Sequence, residues 1–375
     1  MMNVSITLND SWTNPATLPP LLERGSWTDI LAVHNPTALY VDRFVSPVWY
    51  VIGICGNVLS VLVWAEKGTR HVNSSAVYLA TLSVTDLVFL LLHIIMELKY
   101  AWAVDILSYP VFCETYFVFY LAVQYLSPVL VLGFTVERWI AVCRPFQKER
   151  YCTTRRAQKV VAGFVILCVS LCLMQAYFWT YVNGECTLRE AALKRGDASF
   201  WSLWTWSTEL LMFLVVPIVN LVFNVLVLCE IRRMSGDPLP GQAKQNAHAR
   251  IVTTVTLLSV SFYVIFTTLP ATLVYTLSRD FESANNTLTD AEALVDPDWQ
   301  RYFRFLTFRK VVEELCLSHY ACNCILYALT GEHFRTRVWH ILRGKRKETI
   351  TTYSQVSQRN DGFSIKLTDL NNTHH

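Results

Sequence analysis

The residues best suited to chemistry in this chain lie where charge is hardest to keep, inside long apolar runs. Asp86 sits within Leu82-Ser-Val-Thr-Asp86-Leu, and Asn57 follows Gly56 in another apolar stretch. Glu137-Arg138-Trp139 closes a third run, and His319 and Asn323 stand one turn apart in the last. An ionisable group in such a place is costly to keep and marks a function. Catalysis is a poor fit. The histidines and cysteines show no CxxC pair and no zinc-finger His/Cys pattern, and no Ser/His/Asp set is arranged for nucleophilic attack. The chemistry on offer is of another kind: buried polar groups that hold one another, an ion or a proton, and that exchange partners when helices move.

The elements that position these groups are read from hydropathy. Hydrophobic residues make up 53% of the 375 and charged residues 16%, well below the roughly 25% usual in soluble proteins. A helix needs about 20 apolar residues to cross a bilayer. Seven stretches meet that length: Pro47–Ala65, Ala76–Leu98, Val111–Cys143, Val160–Tyr181, Trp201–Cys229, Ile251–Leu277 and Phe305–Leu329. The seventh is the weakest, because Arg309, Lys310, Glu313 and Glu314 occupy its first turns.

Basic residues give the orientation. Arg144, Lys148, Arg150, Arg155, Arg156 and Lys159 fall after the third run, and Arg232, Arg233, Lys244 and Arg250 after the fifth. Arg335, Arg337, Arg343, Lys345, Arg346 and Lys347 follow the seventh. The positive-inside rule then places the N-terminus outside and the C-terminus in the cytoplasm. The fold class is all-α membrane, a seven-transmembrane helix bundle at 45–330. Residues 1–44 form an extracellular tail, 331–345 a short amphipathic eighth helix on the inner leaflet, and 346–375 a polar cytoplasmic tail expected to be disordered. No basic residue precedes Arg24 and no apolar segment follows the start, so no signal peptide is expected. Asn3, Asn9 and Asn285 head Asn-X-Ser/Thr sequons on the outer side and are candidate glycosylation sites. The seven runs show no internal repeat of the kind transporters carry, which argues against a transporter or channel built on Asp86, His319 and Asn323.

Taken in order, Gly56-Asn57, Leu82 to Asp86, Cys113, Glu137-Arg138-Trp139, Pro145-Phe146, Pro217, Pro270 and Asn323-Cys-Ile-Leu-Tyr327 resemble the rhodopsin-like G protein-coupled receptor family over about residues 45–345. The resemblance implies a plasma-membrane receptor, not an enzyme, for an extracellular ligand and a heterotrimeric G protein. It implies a disulfide from Cys113 to Cys186. It also implies that Asn57, Asp86, Ser127 and Asn323 meet across the bundle and can hold a sodium ion or a proton. His319 stands where the family has Asn, which opens an ion pair with Asp86 as a second reading and a plain hydrogen-bond network as a third. In the family Glu137 restrains Arg138 until activation, while Asn323, Tyr327 and the kinks at Pro217 and Pro270 belong to the switch. This chain departs from the pattern at Thr268, at Cys324 and at Pro128. Arg250 and His248 stand where the family's sixth helix often bears an acid, so higher basal activity is expected.

Tyr181-Val-Asn-Gly-Glu-Cys186 carries an Asn-Gly between strand formers, a hairpin signal. Tyr120 and Leu317 stand where aminergic receptors have Asp and opsins have Lys, which sets those ligands aside. Glu97, Glu209, Glu313 and Glu314 make the outer half acidic, with Tyr116, Phe117, Tyr120, Gln124, Trp206 and Phe308 around them. Acids beside aromatic faces suit a cationic group, and a small basic, amidated neuropeptide is the expected ligand. Pairing of these acids with Arg309, Lys310 and Lys99, or with water, is the alternative. The short strings around Arg138 and Pro270 are similar to invertebrate FMRFamide-type neuropeptide receptors. Ser and Thr in the tail, such as Thr351 and Ser354, suit receptor kinases and arrestin or an ordinary linker equally. The remaining partners are membrane lipids; no nucleic acid is expected.

Overall fold

A computed structural model describes residues 27–66, 74–193, 199–236, 241–278 and 295–343, with backbone alone over 235–236 and 241–253. A short helix α1 (Trp27–His34) leads into α2 (Pro36–Trp64), the first span. The second and third spans are α3 (Ser74–Tyr100) and α4 (Phe112–Cys143). After a 3-10 turn (Pro145–Gln147) and α5 (Lys148–Tyr151), the fourth span α6 (Thr154–Cys172) runs outward to α7 (Gln175–Phe178). Strands β1 (Trp179–Val182) and β2 (Glu185–Leu188) and a turn of helix α8 (Glu190–Leu193) make the next outer connection. The fifth span joins α9 (Phe200–Leu210), a π-helical turn (Leu211–Val215) and α10 (Val216–Gly236). The sixth span is α11 (Gly241–Leu277) and the seventh α12 (Pro297–Thr330), followed by α13 (Glu332–Leu342).

Six of these helices are long and apolar enough to cross a membrane by length and composition. The seventh is not among them, for the reason its sequence announced: the charges in its outer turns. It is nevertheless packed between the first and sixth spans. The third span is the axis, with 83% of its most apolar window buried, against 17% for the fourth, which packs at the edge of the bundle.

Helix starts follow local chemistry. Asn35 caps α2 by accepting from the N–H of Ala38, with Pro36 in the first turn. Asp296 accepts from Asp298 and Trp299 at 3.0 and 2.9 Å, with Pro297 next. An N-cap followed by proline is a strong start signal. Both helices therefore begin well outside Pro47 and Phe305, where hydropathy alone had set them. The outer turns of α2 and α12 meet through the side chain of Asn35, which donates to the carbonyl of Phe303 at 2.8 Å. The fourth span begins and ends earlier in the chain than hydropathy indicates, at Thr154 and before Trp179. It ends at Cys172, and Trp179 to Tyr181 are strand although apolar. Asn183 and Gly184 both hold positive φ, 53° and 88°, as a two-residue primed turn requires. Asn3, Asn9, Asn285 and the tail from residue 344 lie outside the described residues.

The first and seventh spans touch closely at two glycines. A Cβ on Gly53 would lie 2.4 Å from Leu90 Cδ1 and 3.0 Å from the Cα of Ala321. One on Gly56 would meet Cys324 Cβ at 2.9 Å. Small residues at such crossings let backbones approach, which is how helices associate in lipid. Gly53→Val should therefore destabilise the purified protein by about 1–3 kcal/mol. Gly163→Ala, where a Cβ meets nothing within 4 Å, should leave the melting temperature unchanged or slightly raised.

Candidate functional site

At the inner end of α4, Glu137 and Arg138 each find a serine on the second span. Ser74 donates to Glu137, and Arg138 donates to Ser75. Among the described residues no ion pair joins Glu137 to Arg138 directly; each is instead bound by a neighbouring hydroxyl on α3. Glu137 is buried, and Arg138 Nε has no partner among the described residues. Trp139 packs edge-on to Phe223 of the fifth span, centroids 5.5 Å apart. Pro145 opens the 3-10 turn, and the Phe146 beside it is fully exposed. The side chains of His248 and Arg250 lie outside the described residues.

At mid-depth Ser127 and Asn323, two of the residues expected around Asp86, meet it, while Asn57 bonds elsewhere. Ser127 donates to Asp86 Oδ1 at 2.8 Å, and Asn323 Nδ2 donates to Oδ2 at 2.6 Å. Asn57 donates to the carbonyl of Tyr320 at 2.8 Å. The amide oxygens of Asn57 and Asn323 are buried with no described partner. Carboxylate, hydroxyl and amide oxygens are the donors a hard cation takes, so this set fits one. His319 does not join it. Its ring lies over Tyr320, centroids 3.8 Å apart, and its Nδ1 is 4.0 Å from Cys316 Sγ, so the ion pair with Asp86 is absent. Tyr327 is fully buried between Trp64 and Phe334, and its hydroxyl has no described partner.

The prolines within the spans release carbonyls that other helices use. Pro217 has no N–H to offer the carbonyl of Phe213, four residues back. That carbonyl lies 2.9 Å from Thr272 Oγ1 of the sixth span, whose one proton is shared between it and the Thr268 carbonyl of its own helix, also at 2.9 Å. The π-helical turn Leu211–Val215 absorbs the break. Pro128 likewise leaves the carbonyl of Gln124, which Tyr320 of the seventh span approaches at 3.5 Å. Near Pro270, Thr268 is fully buried and turns its hydroxyl back to the Val264 carbonyl. Tyr263 and Ser318 share a hydrogen bond of 2.7 Å between the sixth and seventh spans.

The outer end is fastened by the Cys113–Cys186 disulfide, which ties the β1–β2 hairpin to the third span. Phe117 stacks on Trp179 of the hairpin at 3.7 Å, and Tyr116 donates to the carbonyl of Leu92 at 2.6 Å. In the first outer loop, burial tends to raise the Asp105 carboxyl, but bonds from Ser108 and Lys99 outweigh it and hold the group below its ordinary range. Lys99 is thereby paired with Asp105, not with the deeper acids.

A cavity of about 70 Å³ opens between the second, third and seventh spans. Of the expected ligand residues, Glu97, Tyr120, Gln124 and Glu313 line it. Glu314, expected among the outer acids, and Lys310, expected as a partner for them, line it too; the structure adds Asp42 and brings Ser46 beside them. Lys310 reaches Asp42 at 2.7 Å and Glu313 at 3.6 Å, and Arg309 reaches Glu313 at 2.7 Å. Glu313 is therefore held by cations of its own helix. The other expected residues lie elsewhere. Glu209 is buried and accepts from Tyr125 at 3.0 Å, Trp206 stacks on Tyr275, and Phe308 is 57% exposed. Asp42 lies outside the span that hydropathy marks, and the Asn35-Pro36 cap signal is what places it within the helix.

The Thr272 bond should be measurable. Thr272→Val strands the Phe213 carbonyl between helices and should cost about 0.5–2 kcal/mol, read as a lower melting temperature. Thr276→Val, whose hydroxyl bonds only within its own exposed turn, should leave it unchanged.

The profile of the 7 transmembrane receptor (rhodopsin family) matches residues 56–303. The thyrotropin-releasing hormone receptor of Gallus gallus is 26% identical over 210 residues, 52% of this chain and 49% of that receptor. The C-C chemokine receptor type 1 of Homo sapiens is 23% identical over 76% of this chain and 75% of its own length. The growth hormone secretagogue receptor type 1 of Homo sapiens is 23% identical over 78% of each. The chain thus spans about half the length of the first of these relatives and about three quarters of the others. The family is one of plasma-membrane receptors and not of enzymes. With its spans, its Asp86 cluster, its Glu137-Arg138 pair and its outer disulfide, the chain belongs to the rhodopsin family of seven-transmembrane receptors.

Proposed function

We propose that the chain is a receptor for an extracellular peptide, small and basic, that activates a heterotrimeric G protein. The observation that carries this reading is the two-ended third span. One continuous helix, Phe112–Cys143, bears the outer cavity and the hairpin disulfide at one end and Arg138 at the other. A ligand that favours one packing of the helices around it shifts the whole bundle. The names of the relatives, which speak of a releasing hormone, a chemokine and a growth hormone secretagogue, support a ligand of the peptide class. The excess of acids around the cavity supports a basic one. Sodium or a proton at Asp86 belongs to the same reading, as a weight on the resting arrangement.

In this account Ser74 and Ser75 hold Glu137 and Arg138 at rest, and Arg138 and the exposed Phe146 meet the G protein once the bundle opens. The test is a calcium readout in cells expressing the chain with a promiscuous G protein, challenged with a panel of amidated neuropeptides. A saturable response that is lost in Arg138→Ala is expected. Silence across the panel with verified surface expression would remove the case for a basic peptide. Ser75→Ala removes the resting partner of Arg138 and should raise ligand-independent signalling several-fold; basal signalling equal to wild type would contradict the resting role given to Ser75.

A further inference from the structure

We infer that Glu97 and Glu314 together form a guanidinium subsite in the outer cavity, which takes the arginine head of the ligand. The inference deepens the reading of the chain as a receptor for a basic peptide and depends on it.

Charge accounting leads to this pair. Asp42, Glu97, Glu313 and Glu314 face the same cavity, and so does Lys310, with Arg309 adjoining. The two cations are bound to Asp42 and Glu313 by the contacts given above. Glu97 and Glu314 have no cation within salt-bridge reach among the described residues. Glu314 Oε1 accepts from Ser46 at 2.5 Å, while its Oε2 is buried with no described partner. Glu97 Oε1 is buried with none either. The two residues are 9% and 8% exposed, so the cavity itself is the main space that reaches them. Buried carboxylates of this kind are kept where something pairs with them.

Shape narrows the class. At roughly 10–15 Å³ for each water-sized group, the cavity of about 70 Å³ takes roughly five to seven such groups. That is room for a guanidinium and the methylene next to it, and not for a whole peptide. Phe89, Tyr100, Tyr120 and Tyr320 line the same space. Their faces suit a flat, weakly hydrated cation. A guanidinium also presents N–H donors along more than one edge, and so can reach one carboxylate on the second span and one on the seventh. An ammonium is a compact point charge and matches neither feature as well.

The probe is phenethylguanidine, compared with phenethylurea, which keeps the shape and loses the charge. Binding is followed by thermal shift on the purified full chain in nanodiscs. Saturable stabilisation by the guanidine at millimolar concentration, and none by the urea, is expected. Glu97→Gln and Glu314→Gln should each weaken it at least tenfold, while Glu185→Gln, in the exposed hairpin turn, should not. Equal behaviour of the two probes on the wild-type chain overturns the subsite without any variant. Gln variants that bind like wild type also overturn it, since they show that both acids are held neutral. If the subsite fails while a peptide still evokes an Arg138-dependent response, the receptor reading stands and only this assignment falls.

Discussion

In hydrocarbon, every backbone N–H and C=O must be satisfied within the protein, because no water is there to do it. Most of this bundle meets that demand inside its own helices. The demand becomes informative where proline breaks it. Pro217 withholds an N–H from the Phe213 carbonyl, and the donor that replaces it comes from Thr272 on another helix. Pro128 does the same at Gln124, with Tyr320 as the neighbour. The third span is thereby linked to the seventh, and the fifth to the sixth, at points that are weak within their own helix. A link between helices that substitutes for a link within one is suited to a bundle with two packings. Either partner can change without leaving an unpaired group stranded, provided the other moves with it.

Polar contacts then fall into three layers. The outer layer is ionic, with Lys310 and Arg309 bound to Asp42 and Glu313 and two further acids facing the cavity. The middle layer is hydrogen-bonded, with Asp86 held by Ser127 and Asn323. The inner layer sets Glu137 and Arg138 against Ser74 and Ser75. Buried charges stabilise little and cost much when a partner is removed. They are therefore better read as devices that specify which helix meets which than as a source of stability.

Much of this was legible in the sequence. Apolar length marked six spans clearly and the charged seventh only weakly, the Asn-Gly pair found the hairpin turn at 183–184, and the ordered motifs brought Asp86, Ser127 and Asn323 together. Hydropathy failed where polarity and helix geometry part company. It started the first and seventh helices late, because their outer turns are charged, and it ran the fourth too far, because Trp179 to Tyr181 are apolar but extended. The partners of individual groups were the least legible. That Arg138 meets Ser75, that His319 turns to Tyr320 and away from Asp86, and that Lys310 binds Asp42 depend on how helices distant in sequence are rotated. No spacing within one helix encodes that rotation.

The central claim is that the outer cavity and Arg138 are two ends of one coupled equilibrium. It is tested most directly by the affinity of a peptide that evokes a response, measured on the reconstituted chain with and without nucleotide-free G protein. Coupling of about 1–3 kcal/mol predicts an affinity gain of roughly 5- to 150-fold when the G protein is bound, and little gain in Arg138→Ala. An affinity that is the same with and without the G protein would contradict the account.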